Sequence, residues 1–572
     1  MAERKKGADI IWECLICEGV KVVFGYPGGA ILPTYDALNF YPQIHHVLVR
    51  HEQGATHMAD GYARATGKVG VAMATSGPGA TNMVTGLATA MMDSSPIVCI
   101  TGQVATSVIG GDAFQETDVT GVTLPVTKHN YLVTDIKELA YTIKEAFYIA
   151  RSGRPGPVLI DIAKDVQTAE IEFVYPEEEI KLPGYRPPAG ATPEQVEQMV
   201  DLINSAERPI ILAGHGILLS GASKEVIEIA EKGSIPITTT LLGISSVPDS
   251  HPLNMGMMGM HGEACCNYAI QEADLVLAFG MRFDDRVTGN LKTYSPNSKK
   301  IHIDIDPSEL HKNVRVDVAV GGDLKTVLNQ FKDRLKNVDR SAWWGRIRDW
   351  QEDTSQRDIL NTYRGEVLLA SQAIHAIWKA NDDNAVVVSD VGQHQMLECQ
   401  YYDHEKPRTL VTSGGLGTMG FSMPAAIGAR FGVPEDQEIW VIVGDGSIQM
   451  TITELATAVQ ENSDINICVI NNGYLGMVRQ WQQLFYDARY AETPISSPDY
   501  VKLADAYGMP GYRVTKYDDI APVLQKAKDY KGPVLIEFVV EKHDMVYPMV
   551  PAGADLDKMH RRPHPQFEKA EM

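Results

Sequence analysis

Short runs of aliphatic and β-branched residues, each closed by a turn and followed by a stretch of helical period, recur along most of this chain. Val22-Val-Phe24 runs into Gly25-Tyr-Pro-Gly-Gly29, the run 69–74 into Ser76-Gly-Pro-Gly79, 438–443 into Gly444-Asp-Gly446, and 465–470 into Asn471-Asn-Gly473. Apolar runs of this length without polar alternation predict strands covered on both faces, and their alternation with helices predicts parallel βαβ units. Between them, residues 52–64 set Ala55, Met58, Ala59, Tyr62 and Ala63 at helical spacing, which predicts a helix with one apolar face. Residues 453–461 do the same with Leu455, Ala456, Ala458 and Val459. The expected fold class is α/β: three domains, each a mostly parallel sheet flanked by helices.

The first domain is expected over 1–172. It gives way to a linker over 173–191 whose acidic, proline-rich heart breaks the periodicity. A second α/β domain spans 192–338, with strands at 209–213, 235–239, 275–279 and 300–305. The charged, tryptophan-bearing stretch 340–357 leads out of it through a linker over 339–364. A third domain covers 365–545. The tail 546–572 holds Pro548, Pro551, Pro563 and Pro565, which excludes a long helix and suits a lid or a mobile arm.

The outer domains share a weak repeat. Thr85-Gly-Leu-Ala-Thr-Ala90 recurs as Thr453-Glu-Leu-Ala-Thr-Ala458, an offset of 368 (453 − 85) that also sets Gly77 against Asp445 and brings the flanking strands into register. That register favours duplication over coincidence.

Composition narrows the picture. A chain of 572 residues is too long for one core. Its net charge of −22, with no basic cluster, argues against a nucleic-acid partner. The seven cysteines show no disulfide spacing, and Cys14 and Cys17 fall in an apolar helical stretch, so buried thiols in a reducing compartment are expected. No apolar window is long enough for a membrane span and no signal pattern opens the chain. A cytoplasmic protein is the expectation.

Candidate chemistry sits at the strand ends. Asp445 and Asn472 each follow a strand of one βαβ unit and so can face one crevice, where open α/β sheets bind ligands. A carboxylate, an amide oxygen and a backbone carbonyl suit Mg²⁺, which takes hard oxygen donors and leaves the remaining positions to phosphates and water. Two ordinary polar turns are the competing reading. Glu52 opens the helix at 52–64 just before its apolar face. A carboxylate there is either a first-turn acid favoured by the helix dipole or a buried group tuned for proton transfer.

His51-Glu52, Gly444-Asp-Gly-Ser447 and Asn471-Asn472 together resemble the thiamine-diphosphate enzymes. Gly25-Tyr-Pro-Gly-Gly-Ala30, Phe114-Gln-Glu116, Thr127-Lys-His-Asn130, Arg282-Phe-Asp-Asp-Arg-Val-Thr-Gly289, Ser413-Gly-Gly-Leu-Gly-Thr-Met-Gly420 and Asn471-Asn-Gly-Tyr-Leu-Gly-Met-Val-Arg-Gln-Trp481 narrow it. These strings resemble the FAD-containing acetohydroxyacid synthase (acetolactate synthase) family, in its catalytic subunit, over nearly the whole chain.

The resemblance implies a pyrimidine-binding first domain, a Rossmann-like FAD-binding middle and a diphosphate-binding third domain. Glu52 would bond the pyrimidine nitrogen of thiamine diphosphate so that the neighbouring amine can take the proton from thiazolium C2. Met419 would hold the cofactor bent. Val391, Gly392, Gln393, His394, Gly417, Gly446, Ser447, Leu475, Gly476 and Met477 would complete its site. Asp445, Asn472 and the carbonyl of Tyr474 would ligate Mg²⁺. Gly29, Phe114, Gln115 and Lys128 would wall the substrate site, and Trp481 would favour 2-ketobutyrate as acceptor; simple packing along Leu475, Val478, Trp481 and Phe485 is the alternative for Trp481.

FAD would rest on Gly214, Gly216, Thr240, Leu241, Met260, His261, Gly280, Arg282, Asp284, Arg286, Val287, Asp304 and Asp323. Gly214-His-Gly216 follows a strand, but Leu219 stands where GxGxxG needs its third glycine. His215 and Met281 occupy places where the family commonly has smaller residues. The implied reaction decarboxylates pyruvate and joins the two-carbon unit to pyruvate or 2-ketobutyrate, toward valine, leucine and isoleucine. The implied assembly is a homodimer or tetramer with a small regulatory subunit. A pyruvate-oxidase type of oxidoreductase is the nearest alternative, and the Trp481 and 282–289 strings count against it.

Overall fold

The computed structural model describes residues 4–564 apart from 189, 364, 382 and 384; Pro565 and the remainder of the expected tail lie outside the described residues. Three six-stranded sheets form the described chain, with a two-stranded ribbon of Arg4–Lys6 against Glu170–Glu172. Every pairing within the three sheets is parallel. The α/β expectation therefore holds in its strict form. All strand carboxyl ends in a sheet emerge along one edge, and the turns that follow them converge there.

In the first sheet the strands are Val22–Gly25, His45–Leu48, Gly70–Ala74, Ile97–Gln103, His129–Val133 and Val158–Ala163. Numbered along the chain, they lie in the order 2-1-3-4-6-5. The third sheet, of Ala385–Ser389, Leu410–Thr412, Glu438–Gly444, Asn466–Asn471, Gly511–Val514 and Val534–Val539, has the same order. The repeat seen in twelve residues thus extends to a whole topology. The middle sheet, of Pro209–Ala213, Ile237–Thr239, Asn254–Met257, Leu275–Phe279, Lys299–Asp304 and Val318–Gly321, runs 3-2-1-4-5-6, the doubly wound order expected of a Rossmann-like unit.

The helix Glu52–Thr66 departs from its expected shape. Its predicted apolar face is buried, but so are Thr56, His57, Asp60, Gly61 and Arg64 on the other side. Periodicity anticipated one covered face; the second is covered by helix Ser422–Arg430 of the third domain. A methyl group at Gly61 would overlap the backbone of Ala425, and one at Gly428 the backbone of Met58. Paired glycines let the two helices meet main chain to main chain, which merges the flanking apolar residues into a core shared by both outer domains.

Two connecting segments are more structured than expected. The stretch leading out of the middle domain is a helix, Ser341–Gln356, whose Trp343 donates from its indole to the Pro209 carbonyl at 3.1 Å and whose Ile347 is buried on the middle sheet. The tail is no long helix, as its prolines require, and within the described residues it is a packed strap. Val546, Met549, Val550 and Leu556 are buried, and Val550 and Leu556 join a core of the middle domain. Of the cysteines, Cys14 is buried as expected but Cys17 is exposed, and all seven are free thiols. Among the described residues no helix is long and apolar enough to cross a membrane.

Gly61→Val should cost about 3 kcal/mol of stability through overpacking against Ala425. Gly345→Ala, in open space on helix Ser341–Gln356, should be neutral or slightly stabilising. Denaturant melts of the two variants decide this, and equal stability would remove the close helix approach as a constraint.

Candidate functional site

Three neighbouring strands of the third sheet, Ala385–Ser389, Glu438–Gly444 and Asn466–Asn471, deliver their following turns to one crevice. All the positions expected to hold thiamine diphosphate line it except Glu52 and Gly417. Gly417 stands close by, in the left-handed region at φ +71°, where an added Cβ would lie 3.8 Å from Val391 Cγ1.

His394 is buried at the back of the crevice, where its Nε2 accepts the Gly444 N–H at 3.2 Å. That bond leaves the ring proton on Nδ1, making the neutral imidazole a donor. A Cβ on Gly444 would fall 2.8 Å from the ring, and one on Gly392 2.9 Å from it, so both glycines are needed for the histidine to fit. Gln393 donates to Gln480 Oε1 at 2.9 Å and accepts from Asn472 Nδ2 at 3.2 Å.

Burial pushes the Asp445 carboxyl up to about 6, and the groups that offset this are neutral donors: the Gly473 N–H at 3.1 Å and Ser497 Oγ at 3.4 Å. A buried carboxylate with no basic partner fits a cation. The adjacent asparagines divide their work. Asn471 turns into the sheet, donating to Glu537 Oε1 at 2.7 Å, while Asn472 and the Tyr474 backbone line the crevice. The donor set of one carboxylate, one amide and one carbonyl suits Mg²⁺ better than zinc.

Sequence reasoning missed two residues here. Asp390, fully buried, accepts from the N–H groups of Val391, Gly420 and Ser422 at 2.8, 2.9 and 2.9 Å, which ties the Met419 turn to the Val391 turn. Its place directly after a strand was a usable signal. Tyr500 donates its hydroxyl to the Asp445 carbonyl at 3.0 Å and lies too far along the chain for any local pattern to find.

In the first domain Glu52 is buried at the start of its helix and accepts from Asn82 Nδ2 at 2.9 Å. Gly79 lies close to this carboxylate, so the glycine turn at 76–79 frames it. Gly77 packs against the backbone of Gln115, itself in the left-handed region at φ +59°, and Phe114 beside it is 87% exposed. Gly29 has open space above its Cα. Lys128 is placed elsewhere. It precedes strand His129–Val133, at the opposite edge of the parallel sheet from Glu52, with its ammonium on the carbonyls of Ile149 and Ser152. Burial lowers it to about 8.

The positions expected to hold FAD gather at the carboxyl edge of the middle sheet. Gly214 and Gly280 follow its two central strands, at the point where the strand order reverses; Thr240, Met260 and Asp323 follow three others, and Asp304 ends the remaining one. Gly214 and Gly216 pack on the backbone of Gly280, so these glycines serve close strand approach more than an open phosphate cradle. Leu241 opens the short turn after Thr240, and His261 Nδ1 lies 3.2 Å from the Pro548 carbonyl of the tail. Arg282 is partly buried, its side chain makes no hydrogen bond or close ion pair among the described residues, and its charge favours the ionised form of the neighbouring Asp284. Asp284 caps the helix that holds Val287, and Arg286 lies over the Trp481 ring at 5.9 Å. Trp481 also meets Phe485 edge-on, and Val478 and Phe485 on its helix are exposed, so this helix face is not packed away within the chain.

Family models for the thiamine pyrophosphate enzymes match the chain in three places: the N-terminal TPP binding domain over 5–122, the central domain over 196–331 and the C-terminal TPP binding domain over 390–538. The chain is 47% identical to an acetolactate synthase large subunit of Corynebacterium glutamicum, covering 96% of this chain and 89% of that protein. It is 44% identical to a probable acetolactate synthase large subunit of Methanocaldococcus jannaschii, covering 99% and 97%. It is 42% identical to the acetolactate synthase isozyme 3 large subunit of Escherichia coli, covering 97% and 98%.

Burial lowers His394 to about 4, below the unfolded value near 6.5, so its contribution to stability is full above about pH 6.5 and declines as pH falls toward 4. Nitrogen-resolved NMR should show a neutral, Nδ1-protonated ring at neutral pH. A His394 that titrates near its ordinary value would overturn the assignment.

Proposed function

The chain belongs to the thiamine pyrophosphate enzymes, among the acetolactate synthase large subunits, and from that premise we propose how its residues divide the work. The enzyme is a thiamine-diphosphate-dependent acetolactate synthase. Pyruvate is the donor, and pyruvate or 2-ketobutyrate the acceptor. The convergence of Asp445, Asn472, His394 and Met419 on one crevice carries this reading.

When bound, thiamine diphosphate supplies the carbon nucleophile that takes up the two-carbon unit as CO₂ leaves. The protein supplies position and proton control. Asp445, Asn472 and the Tyr474 carbonyl would hold Mg²⁺, His394 Nδ1–H and Ser447 would donate to the diphosphate, and Met419 would support the cofactor in the same crevice. Glu52, poised by Asn82, holds or releases a proton at the pyrimidine nitrogen.

Glu52 does not open into the crevice of its own chain. The exposed Phe114, Leu124 and Met450 also favour a second copy, whose third domain would meet Glu52. The relatives described as large subunits support a smaller regulatory partner. Arg282, beside Asp284 at the switch point of the middle sheet, supports an anionic dinucleotide there, and FAD is the one proposed. Trp481 under Arg286 would tell 2-ketobutyrate from pyruvate by the methylene it covers, a contact worth about 1–3 kcal/mol. The cytoplasm is the proposed compartment.

The purified chain given pyruvate, thiamine diphosphate and Mg²⁺, with and without FAD and 2-ketobutyrate, should yield acetolactate and 2-aceto-2-hydroxybutyrate. Peroxide or acetyl phosphate as the main product would instead identify an oxidase. Glu52→Gln should slow turnover by about 100-fold or more, and unchanged turnover would refute its role. Asp445→Ala should abolish Mg²⁺-dependent retention of thiamine diphosphate in calorimetry; normal binding would count against the metal clamp.

A further inference from the structure

The two repeated helices have no atom in the crevice, yet each grips the opposite half of the chain. Asp93, at the end of helix Val84–Asp93, accepts the Gly414 and Gly415 N–H groups at 3.0 and 2.6 Å. Thr89 lies 2.8 Å, hydroxyl to hydroxyl, from Thr418. Both contacts hold the turn that carries Met419. From the other half, Glu454 accepts the Arg50 N–H at 3.0 and 3.2 Å and the His51 N–H at 2.9 Å. Gln460 accepts from the Arg50 guanidinium at 2.8 Å, and Glu461 lies 2.8 Å from His45 Nε2. The turn 413–420 follows the second strand of the third sheet and residues 49–51 follow the second strand of the first, so the grip is reciprocal.

The two copies differ in one respect. Where the first has Gly86, packed directly on Thr56, the second has the fully buried carboxylate of Glu454. A side chain is therefore not needed there to build the fold, and an unpaired buried carboxylate is costly. This one is filled by two backbone N–H groups and by the Thr457 hydroxyl at 2.6 Å, and it leaves room for nothing larger than glycine at position 54.

We propose that Glu454 is a positioning residue for Glu52. It fixes the N–H groups of the two residues that precede Glu52, while Asn82 fixes the carboxylate itself, so that Glu52 is presented in one orientation for proton handling. The inference rests on the reading of Glu52 given above. It also means that the half gripping the diphosphate sets the geometry of the proton-handling group of the other half.

Glu454→Gln would set an N–H₂ against the Arg50 N–H whichever way the amide turns, since that N–H contacts both carboxylate oxygens. The rate of C2 proton exchange in bound thiamine diphosphate, read by quench and NMR in D₂O, should fall by about tenfold or more. Cofactor affinity and the KM for pyruvate should stay within about threefold. In the Glu52→Gln background the same substitution should add nothing to the exchange rate, whereas general damage would add its full effect. Thr457→Val, which removes one hydrogen bond to Glu454, should slow exchange in the same direction and carries the test should Glu454→Gln not fold. Wild-type exchange in the folded variant, or an equal loss in the Glu52→Gln background, overturns the proposal. A wild-type protein that makes no acetolactate would overturn the functional reading instead, and the exchange measurement would still judge Glu454.

Discussion

The meeting of helices Glu52–Thr66 and Ser422–Arg430 at Gly61 and Gly428 is the constraint from which the rest follows. Side chains at either glycine would separate two main chains that now touch. At that separation Arg64 can reach Asp60 at 2.7 Å and Asp93 at 2.9 Å while donating to the Thr412 carbonyl at 2.8 Å, all out of water. Burial alone would lower the Arg64 guanidinium, and the two carboxylates hold it above its usual range. Such a group is tolerable only because every partner is in place. The outer domains are therefore one body, and the turns before Glu52 and before Gly420 are fixed relative to each other.

The chain carries a net charge of −22, yet the proposed substrates and cofactors are anions. A long-range field of that sign would repel them, so recognition has to be local. The crevice supplies N–H donors from strand-end turns, a neutral imidazole and a carboxylate suited to a divalent cation. The middle sheet supplies Arg282 at its switch point. In each case the parallel sheet does the gathering, because it brings turns that are distant in sequence to one edge.

What the sequence made legible follows the same division. Strand-end motifs could be read because a glycine or asparagine turn after an apolar run is a local signal, and the crevice collects those of the third sheet. Long-range partners could not. Glu454 looks like any helical glutamate until Arg50 and His51 are folded against it, and Asp93 like any helix-terminal acid until Gly414 arrives. The second covered face of helix Glu52–Thr66 escapes notice for the same cause: periodicity shows apolar residues, but His57, Asp60 and Arg64 are buried by a partner helix more than 350 positions away. The helix Ser341–Gln356 reads as a connector because its exposed side is highly charged, yet two buried residues, Trp343 and Ile347, are enough to dock it.

The strap beyond residue 545 bears on how the protein is made. Val550 and Leu556 fill a hollow in the middle domain, the Val546 N–H is held by Gln480 at 2.8 Å, and Arg561 pairs with Asp353. Every residue of the strap follows all three sheets along the chain. During synthesis the sheets fold as they emerge, N-terminal first, so the middle domain waits with part of its core uncovered while the third is completed. Translation order thus leaves an apolar hollow open until late, and a ribosome that stalls between the third sheet and the strap would present the cell with three formed domains and one unsealed core.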